Sequence, residues 1–537
     1  MKKNLLIFVV LFLALAPLIL PFLKSGYFPT HDGEWAVIRL VEMNREVKDL
    51  QIPPRFAGYL NHGYGYPLFL FTYPFPFYVA EAFHVAGFGF VDSIKIVFVL
   101  SIIGSACTMY LFGNFLWGKN GAIIATLFYL YDPYRLINLY TRGSIGESLA
   151  FVWYPLLAFL GAHMIQKQSF RYVGLFAFVL GILITTHNVS ALLFLPVLMM
   201  YLGFVFLNTK KYTVQKLFLW GSGVLLGFGV ACYFWLPALL EQKYTILTSG
   251  ILQQFDRFLT FSEVLFGIGI GREYPLMLGP FMIVGVLIVL FFSLKEKKDI
   301  FLLGAIGVLG VILFLMTPFS KVVWNNMPIL SSVDFAWRYL GTGSFMVAIL
   351  IGFLGVFKNM RYLIVATLLF LGLAFSSVSL FPKSTINYGD AYYETNDGTT
   401  TAFDELMPVW VLEKAKNIWS EKVVVQQGEG TIAIEENRSQ KLIFISSFQT
   451  DGLVEVNTLY FPGWRMFIDD REVKPGIHQT RGTMEVAISE GVHRVRVEFH
   501  NTPIRTLANG ISLISIVIGG SFVLLHMKKQ KGTLWSW

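Results

Sequence analysis

Long apolar runs separated by short polar turns dominate the hydropathy pattern of the chain. A membrane-spanning helix needs about 20 mostly apolar residues, and about twelve segments have this character. They lie near 4–23, 92–113, 119–133, 146–165, 172–188, 189–207, 216–238, 274–293, 299–316, 339–357, 361–380 and 506–527. The pattern predicts a polytopic α-helical membrane protein with about 12 transmembrane helices.

The stretch 66–88, "YPLFLFTYPFPFYVAEAFHVAGF", is apolar enough to span a membrane but contains Pro67, Pro74, Pro76 and Glu81. Counting it as a span would invert the orientation of every later loop. We therefore expect a helix or broken helix lying on the outer interface, with aromatic side chains at headgroup depth. It falls within a long first outer loop, residues 24–91.

Alternating apolar and polar residues replace the long runs from residue 382 to residue 503. The alternation is clearest in "KVVVQQ", "TIAIEE", "KLIFISSF", "LVEVNTLY", "GWRMFIDD", "TMEVAISE" and "HRVRVEFH". Period-two patterning between turn residues predicts a small antiparallel β domain. Three regions follow: a transmembrane catalytic domain over 1–381, the β domain over 382–503, and a final helix with a basic tail over 504–537.

Composition and charge agree with a membrane protein. Of 537 residues, 55% are hydrophobic and 14% are charged, against about one quarter charged in soluble proteins. The net charge of +8 comes from cations clustered in alternate turns, which argues against nucleic-acid binding. These cations are Lys119, Lys167, Arg171, Lys210, Lys211, Lys216, Lys295, Lys297, Lys298, Lys358, Arg361, Lys528, Lys529 and Lys531. The positive-inside rule then predicts a multi-pass plasma-membrane protein with both termini cytoplasmic and the β domain outside.

Polar and ionisable residues collect on the predicted outer side. The candidates for a site are His31, Asp32, Glu34, Arg55, Tyr64, Arg142, Glu147, His187 and Arg338. Ionisable groups near membrane depth are costly and usually mark a cavity or a pathway. This concentration therefore favours a functional site at the outer rim.

Each candidate also has a structural interpretation. Asp32 and Glu34 could simply be solvated, or could cap the amphipathic helix in "GEWAVIRLVEMNREV". Arg142 and Glu147 could form an interfacial ion pair, and His187 could hydrogen-bond within a tight helical hairpin. A final residue, Arg338, could be a snorkelling anchor behind a tryptophan, "FAWRYL".

Arginines, carboxylates and tyrosines together suit a lipid that carries phosphate and sugar. Guanidinium groups bind phosphate bidentately. Breaking a sugar–phosphate bond needs no strong acid, and arginine stabilises the developing charge. The incoming hydroxyl needs a base, which we expect to be Asp32, with Glu34 steadying the acceptor or holding a cation.

Several motifs resemble the C-type (GT-C) glycosyltransferases, and a branch of them labelled pyruvoyl-tetrahydropterin synthase-related, close to the YfhO-like membrane proteins. They are "HDGEW", "PPRFAGYLNHGYGYPLF", "FTYPFPFY", "YTRGSIGESLAF", "THN", "FAWRYL" and "FPGWRMFIDDREVKPG". The pterin label itself has no support, because the chain has no His cluster for zinc.

The resemblance implies an inverting enzyme that takes sugar from a polyprenyl-phosphate donor and transfers it outside the cytoplasm. It places Asp32 at the first-loop acid of the superfamily and Arg55, Arg142 and Arg338 in motifs of the branch. No second acidic pair of the oligosaccharyltransferase kind and no "WWDYG"-like motif is present, so N-glycosylation of proteins is not expected. Glu405 in "FDELMPVW" could return to the site or cap a helix.

Cofactor and partners follow from the same chemistry. His31, Asp32, Glu34 and Glu147 could bind a divalent cation, but their spacing matches no strong metal signature. The expected partners are the polyprenyl-phosphate-sugar donor, membrane lipid and a glycan or polymer acceptor. Two other classes stay open: a lipid or glycan transporter or flippase, and a non-catalytic glycan-binding membrane protein.

Overall fold

The computed structural model describes residues 2–209, 213–249, 258–267, 274–295, 300–327, 330, 333–357 and 359–531. Lys210, Lys211, Lys297, Lys298 and Lys358, on which the charge asymmetry partly depends, lie outside the described residues.

The first half of the chain is helical. Its helices are α1 (Lys2–Leu23), α2 (Gly33–Lys48), α3 (Leu68–Phe71), α4 (Phe75–Val85), α5 (Phe90–Leu130), α6 (Pro133–Ile137), α7 (Ile145–Lys167), α8 (Phe170–Thr186) and α9 (Asn188–Leu207). A π-helical turn, Asn138–Arg142, lies between α6 and α7.

The second half continues the helical bundle. Its helices are α10 (Val214–Val230), α11 (Cys232–Glu241), α12 (Phe261–Phe266), α13 (Pro280–Lys295), α14 (Ile300–Leu315), α15 (Lys321–Asn326), α16 (Tyr339–Gly352), α17 (Met360–Ser377), α18 (Asp390–Glu394) and α19 (Pro503–Lys531). Each of the predicted apolar segments overlaps at least one of the helices of the chain, which confirms the polytopic helical class.

The number of spans depends on how breaks are counted. Among the described residues, 6 helices are long and apolar enough to cross a membrane, or up to 8 if each of two bent pairs is one span. The bends are 70° between α10 and α11 and 87° between α14 and the helical turns that follow. Three further apolar helices are shorter, Val9–Leu23, Phe170–Thr186 and Pro280–Leu294. Short and broken helices thus account for the difference from about 12.

Two predicted spans, 92–113 and 119–133, share α5, which is broken at Gly118 (φ 70°, ψ −175°). A Cβ placed on Gly113 would lie 3.0 Å from the Cα of Ala122. Nine residues of straight helix would separate these positions by about 13 Å. The chain therefore reverses at Gly118, and the two halves pack side by side as a helical hairpin.

The first loop folds as predicted for a segment that does not span. Helices α3 and α4 have 4 and 11 residues, too few to cross a bilayer. The longer helix α2 packs against α4 and α5. Its inner face is buried, including the carboxylates of Glu42 and Glu46.

The β domain contains two antiparallel sheets. Its strands are β1 (Val423–Gln427), β2 (Gly430–Arg438), β3 (Lys441–Phe448), β4 (Gly452–Leu459), β5 (Trp464–Ile468), β6 (Arg471–Val473), β7 (Gly476–Ile477), β8 (Thr483–Ile488) and β9 (Gly491–Phe499). The sheet orders are β1-β4-β8-β7 and β2-β3-β9-β5-β6.

The two sheets share one hydrophobic core, as inward residues of alternating strands require. Phe444 on β3 and Val454 on β4 are fully buried in it. Phe56 and Leu70, from the first loop, belong to the same core. The β domain and the first loop are therefore packed as one unit.

Residues 382–422, all of them described, contribute no strand to either sheet; we call them the connecting segment. Its start pairs with the end of α1, where Tyr27 and Ile386 exchange backbone hydrogen bonds of 2.8 and 2.7 Å. Further along, the Thr400 hydroxyl lies 3.0 Å from that of Tyr66. The sheets thus begin at Val423 and not at residue 382, because the connecting segment packs back on the first loop.

Candidate functional site

A cavity of about 790 Å³ lies where the first loop, the helix ends and the connecting segment meet. Its wall includes residues from the start of α2, the turn before α7, the junction of α8 and α9, and the turn before α16. The polar and aromatic side chains of the wall include His31, Asp32, Trp35, Arg39, Tyr73, Arg142, His187, Tyr274, Asp334, Trp337, Arg338 and Glu405.

Backbone contacts bring the first loop to the turn before α7. The N–H of Asp32 donates to the carbonyl of Arg142 at 2.7 Å, and that of His31 donates to Thr141 at 3.1 Å. Gly143 has φ +65°, and a Cβ there would lie 2.5 Å from Oγ1 of Thr30. Only glycine fits both requirements, so the "TRGS" turn is shaped to let the two segments approach.

Asp32 occupies the N-cap position of α2 without capping it. The side chain of Thr30 does so instead, since its Oγ1 accepts the N–H of Gly33 at 3.0 Å. The Asp32 carboxylate has no hydrogen-bond partner in the described part of the chain. Asp32 lines the cavity. The capping interpretation therefore does not account for Asp32.

Glu147 lies beneath the wall and is 2% exposed. Its carboxylate accepts from Arg142 Nη1 at 2.9 Å, and also from Arg338 Nη1 and the hydroxyl of Tyr134. A buried carboxylate persists only when paired in this way. The ion pair with Arg142 is thus present, and Glu147 holds two arginines next to each other without itself lining the cavity.

The two arginines differ in their remaining contacts. Arg338 donates two hydrogen bonds to Asp334, from Nε to Oδ1 at 2.7 Å and from Nη2 to Oδ2 at 2.6 Å. Arg142 donates its Nη1 also to Asn138 Oδ1 at 2.6 Å. Both guanidinium groups lie over the ring of Trp337, at 4.8 Å for Arg142 and 5.6 Å for Arg338. Arg338 is therefore part of an ion cluster and not a snorkelling anchor.

Burial lowers the pKa of the Arg142 guanidinium, but the surrounding groups, of which Glu147 contributes most and Asp32 also contributes, together outweigh burial and raise that pKa above its ordinary value. Arg142 is thus a permanent cation at the cavity wall.

His187 caps α9. The backbone N–H of Ser190 donates to its Nδ1 at 3.0 Å, so a neutral ring carries its proton on Nε2. That Nε2 lies 3.9 Å from Glu147 Oε1 and 3.3 Å from Arg338 Nη1. In the contact with Arg338 both nitrogens carry protons, so His187 Nε2 does not accept a hydrogen bond from Arg338 Nη1. His187 therefore caps α9 and lines the cavity wall.

Three predicted site residues lie elsewhere. The charge of Glu34 raises the pKa of Tyr392, and burial followed by Glu34 raises that of Tyr393 to about 12, so Glu34 faces the connecting segment. Arg55 donates to Asn509 Oδ1 at 2.8 Å and lies at the base of α19. Tyr64 lines a separate cavity of about 110 Å³. The sequence grouped them with Asp32 because they share the first loop, but part of that loop packs against the β domain, where Phe56 and Leu70 join the core.

Several wall residues escaped the sequence argument. Arg39 follows Asp32 by seven residues, two turns along α2, so helical periodicity places both on one face. Tyr73 and Tyr274 had no distinguishing signal in the sequence. Glu405, left open above, is on the cavity wall, where its carboxylate accepts the N–H of Phe403 at 3.2 Å.

A metal site is not apparent in the described ranges, where no three His, Cys, Asp or Glu side chains group to hold an ion. Of the four candidate ligands, His31 and Asp32 line the cavity, whereas Glu34 and Glu147 do not.

The fold and the cavity define a polytopic membrane protein with a polar site between the first loop, the helix ends and the connecting segment. The family described as "6-pyruvoyl-tetrahydropterin synthase related domain; membrane protein" matches residues 70–386, more than half of the chain. The chain belongs to this family, which confirms the predicted branch.

Two individual proteins are similar over part of their length. An uncharacterized protein of Lactococcus lactis subsp. cremoris (strain MG1363) is 23% identical over 245 residues, 44% of this chain. The chain spans only 40% of that relative. A crystal structure of the Archaeoglobus fulgidus oligosaccharyltransferase, in complex with Zn and sulfate, aligns with 74% of this chain and 54% of that chain. At 14% identity and a TM-score of 0.40, this likeness assigns no activity.

Proposed function

We propose that the protein is an integral-membrane glycosyltransferase. It moves a sugar from a polyprenyl-phosphate-linked donor to an extracytoplasmic acceptor, which is a cell-surface polymer, a lipid or a glycan. The observation that carries this proposal is the shared cavity, in which an Asp32 carboxylate without a hydrogen-bond partner among the described residues lies beside the buried cation Arg142. The motif resemblance to C-type glycosyltransferases supports the same class.

The chemistry needs one base and one group that stabilises phosphate. Asp32 takes the proton of the acceptor hydroxyl, whose oxygen forms a bond to the anomeric carbon of the donor. The bond from that carbon to the phosphate oxygen breaks, and the phosphate leaves with the electron pair. Attack from the face opposite the leaving group inverts the anomeric centre. Arginine at the wall stabilises the negative charge that develops on the departing phosphate.

The surroundings suit both parts of such a donor. Trp35 and Tyr73 give the cavity wall aromatic surface against which a sugar ring can pack. Helix α9 extends from the cavity to an apolar pocket of about 220 Å³, lined by Phe194, Phe345 and other apolar residues. The isoprenoid chain of the donor would contact apolar surface in this pocket and in the surrounding lipid.

The test compares cells that lack the gene with cells that express the protein or its Asp32→Asn variant. Mass spectrometry of lipid-linked sugars and surface glycans should show one sugar missing from a surface structure in the deletion strain. Asp32→Asn should fail to restore it, because an amide cannot accept the proton, whereas Asp92→Asn, an exposed acid outside the cavity, should restore it.

Full restoration by Asp32→Asn would contradict the proposal. It would favour a flippase or a non-catalytic glycan-binding protein, since neither needs a base at this position.

A further inference from the structure

Three arginines reach the cavity, and they differ in which N–H groups are already engaged. Arg338 uses all three of its guanidinium nitrogens: Nε and Nη2 bind Asp334, and Nη1 binds Glu147. Its Nε/Nη2 edge, the one suited to a bidentate anion, already holds a carboxylate of the protein.

Arg142 leaves the equivalent edge open. Its Nη1 donates to Asn138 and Glu147, while its Nε and Nη2 have no acceptor among the residues that the structure describes. Stacking on Trp337 and the bond to Glu147 fix the plane of the guanidinium group. A fixed fork with a free edge beside a cavity matches the geometry of a phosphoryl group.

Arg39 adds a second cation from another direction. Its Nε donates to Thr400 Oγ1 at 3.1 Å, and its Nη2 donates to the Thr400 carbonyl. Its Nη1 has no acceptor within the described ranges. These bonds hold Arg39 at the wall between α2 and the connecting segment.

Arg338 and Arg142 also differ in how far nearby carboxylates offset their charge. Arg338 faces two carboxylates, Asp334 and Glu147, so its charge is offset where it stands. Among the described residues Arg142 forms an ion pair only with Glu147, which it shares with Arg338, while the charge of Asp32 acts on it without an ion-pair contact. An incoming anion therefore gains more from Arg142 than from Arg338.

We propose that the phosphoryl group binds the Nε/Nη2 edge of Arg142 and the Nη1 of Arg39. Arg338 is a positioning residue, which with Asp334 and Glu147 holds Arg142 in place. The recognised chemistry is a phosphoryl anion, whether free or on a lipid. The binding of a phosphoryl group by these arginines does not depend on the proposed function. Only the statement that the phosphoryl group is carried by a lipid rests on it.

The experiment measures binding to the purified full-length protein in lipid nanodiscs by calorimetry. The probes are inorganic pyrophosphate, farnesyl phosphate and, as an uncharged match, farnesol. Arg142→Gln should weaken the binding of both phosphates by about 10- to 100-fold, as expected for the loss of hydrogen bonds to a charged group. Arg39→Gln should weaken it by about 10-fold. The matched control is Arg45→Gln on the same helix, which bonds the Glu394 carbonyl outside the cavity and should change binding less than about 2-fold.

A rescue distinguishes positioning from contact. Arg338→Gln alone should weaken binding, because Asp334 loses its partner and competes with the anion for Arg142. The double variant Arg338→Gln/Asp334→Asn should restore pyrophosphate binding to within about 3-fold of the parent. A residue that touched the anion could not be rescued in this way.

Each outcome decides one question. The assignment is overturned if the double variant binds as poorly as Arg142→Gln, if Arg142→Gln binds normally, or if the parent protein binds neither phosphate. If pyrophosphate binding follows the expected pattern but farnesyl phosphate binds no better than farnesol, the arginine assignment holds and the lipid donor of the proposed function fails.

Discussion

The backbone N–H of Asp32 donates to the carbonyl oxygen of Arg142 over 2.7 Å. This single bond joins the first loop to the turn before α7, residues more than one hundred positions apart in the chain. The proposed base and the proposed phosphate ligand are therefore held at a fixed spacing by backbone, and not only by flexible side chains. Catalysis depends on such fixed spacing.

Gly143→Ala should disrupt this junction. The residue has φ +65°, and its Cβ would lie 2.5 Å from Thr30 Oγ1 and 2.9 Å from the Gly33 nitrogen. We expect a loss of about 1–3 kcal/mol in stability and a loss of sugar transfer. Gly87→Ala is the control, because Gly87 also has positive φ (+104°) but nothing lies within 4 Å of its Cβ position. Thermal unfolding in detergent and the glycan assay measure both; equal activity loss in the two variants would contradict the close-approach argument.

Glu147→Gln should be strongly destabilising. The substitution removes the negative charge between Arg142 and Arg338, and breaking a buried ion pair from one side typically costs about 3–5 kcal/mol. The control is Glu472→Gln, which removes a pair with Arg465 in which the side chains are 55% and 48% exposed, so we expect a change below about 1 kcal/mol. Thermal unfolding of both variants decides the matter, and similar melting temperatures would show that Glu147 is not an anchor.

The stability of the first loop should depend on pH through Glu42 and Glu46. Burial raises the pKa of both carboxyl groups, and the charge of Glu42 raises that of Glu46 further. The folded state then binds more protons than the unfolded state above the ordinary carboxyl pKa, so stability falls as the pH rises toward the folded pKa values.

Glu46→Gln removes one of these titrations. We expect the variant to be more stable than the parent at pH 8 by about 1–3 kcal/mol, with a smaller difference at pH 5, where the parent still holds its protons. Glu394→Gln, at an exposed position, should shift the melting temperature equally at both pH values. A pH-independent effect of Glu46→Gln would contradict the explanation that the raised pKa values of the buried carboxyl groups cause the pH dependence.

Phe56→Ala should loosen the β domain from the first loop. Phe56 is fully buried in the sandwich core, with rings of Trp464 and Phe499 each 5.3 Å away. Truncation of a buried Phe costs about 3–5 kcal/mol. Limited proteolysis should cleave the variant within the connecting segment sooner than the parent. Phe88→Ala, on a residue 47% exposed, should leave the cleavage pattern unchanged.

Sequence periodicity predicted the elements well because it depends on local burial. Seven alternating segments became β1, β2, β3, β4, β5, β8 and β9. Strands β6 and β7 have three and two residues, too few for a period to appear. The sequence also separated 92–113 from 119–133, and the chain reverses between these two segments at Gly118.

Site residues were predictable from the sequence only where an ionisable side chain lies at the end of a predicted helix. Asp32, Arg142 and Arg338 are ionisable residues at helix ends, and all three line the cavity. Arg39 was missed because it lies within an amphipathic helix, where an arginine looks like an ordinary surface residue. Arg55 and Tyr64 were grouped with Asp32 because distance along the chain does not reveal that the intervening loop enters the β-domain core.

That entry of Phe56 and Leu70 into the sandwich bears on protein engineering. The β domain is not an interchangeable module that can be grafted from a homologue at its two boundaries in the sequence. A chimera that exchanges residues 423–499 has to bring the matching 49–71 from the same parent, or its sandwich will contain a hole where two side chains from far upstream belong.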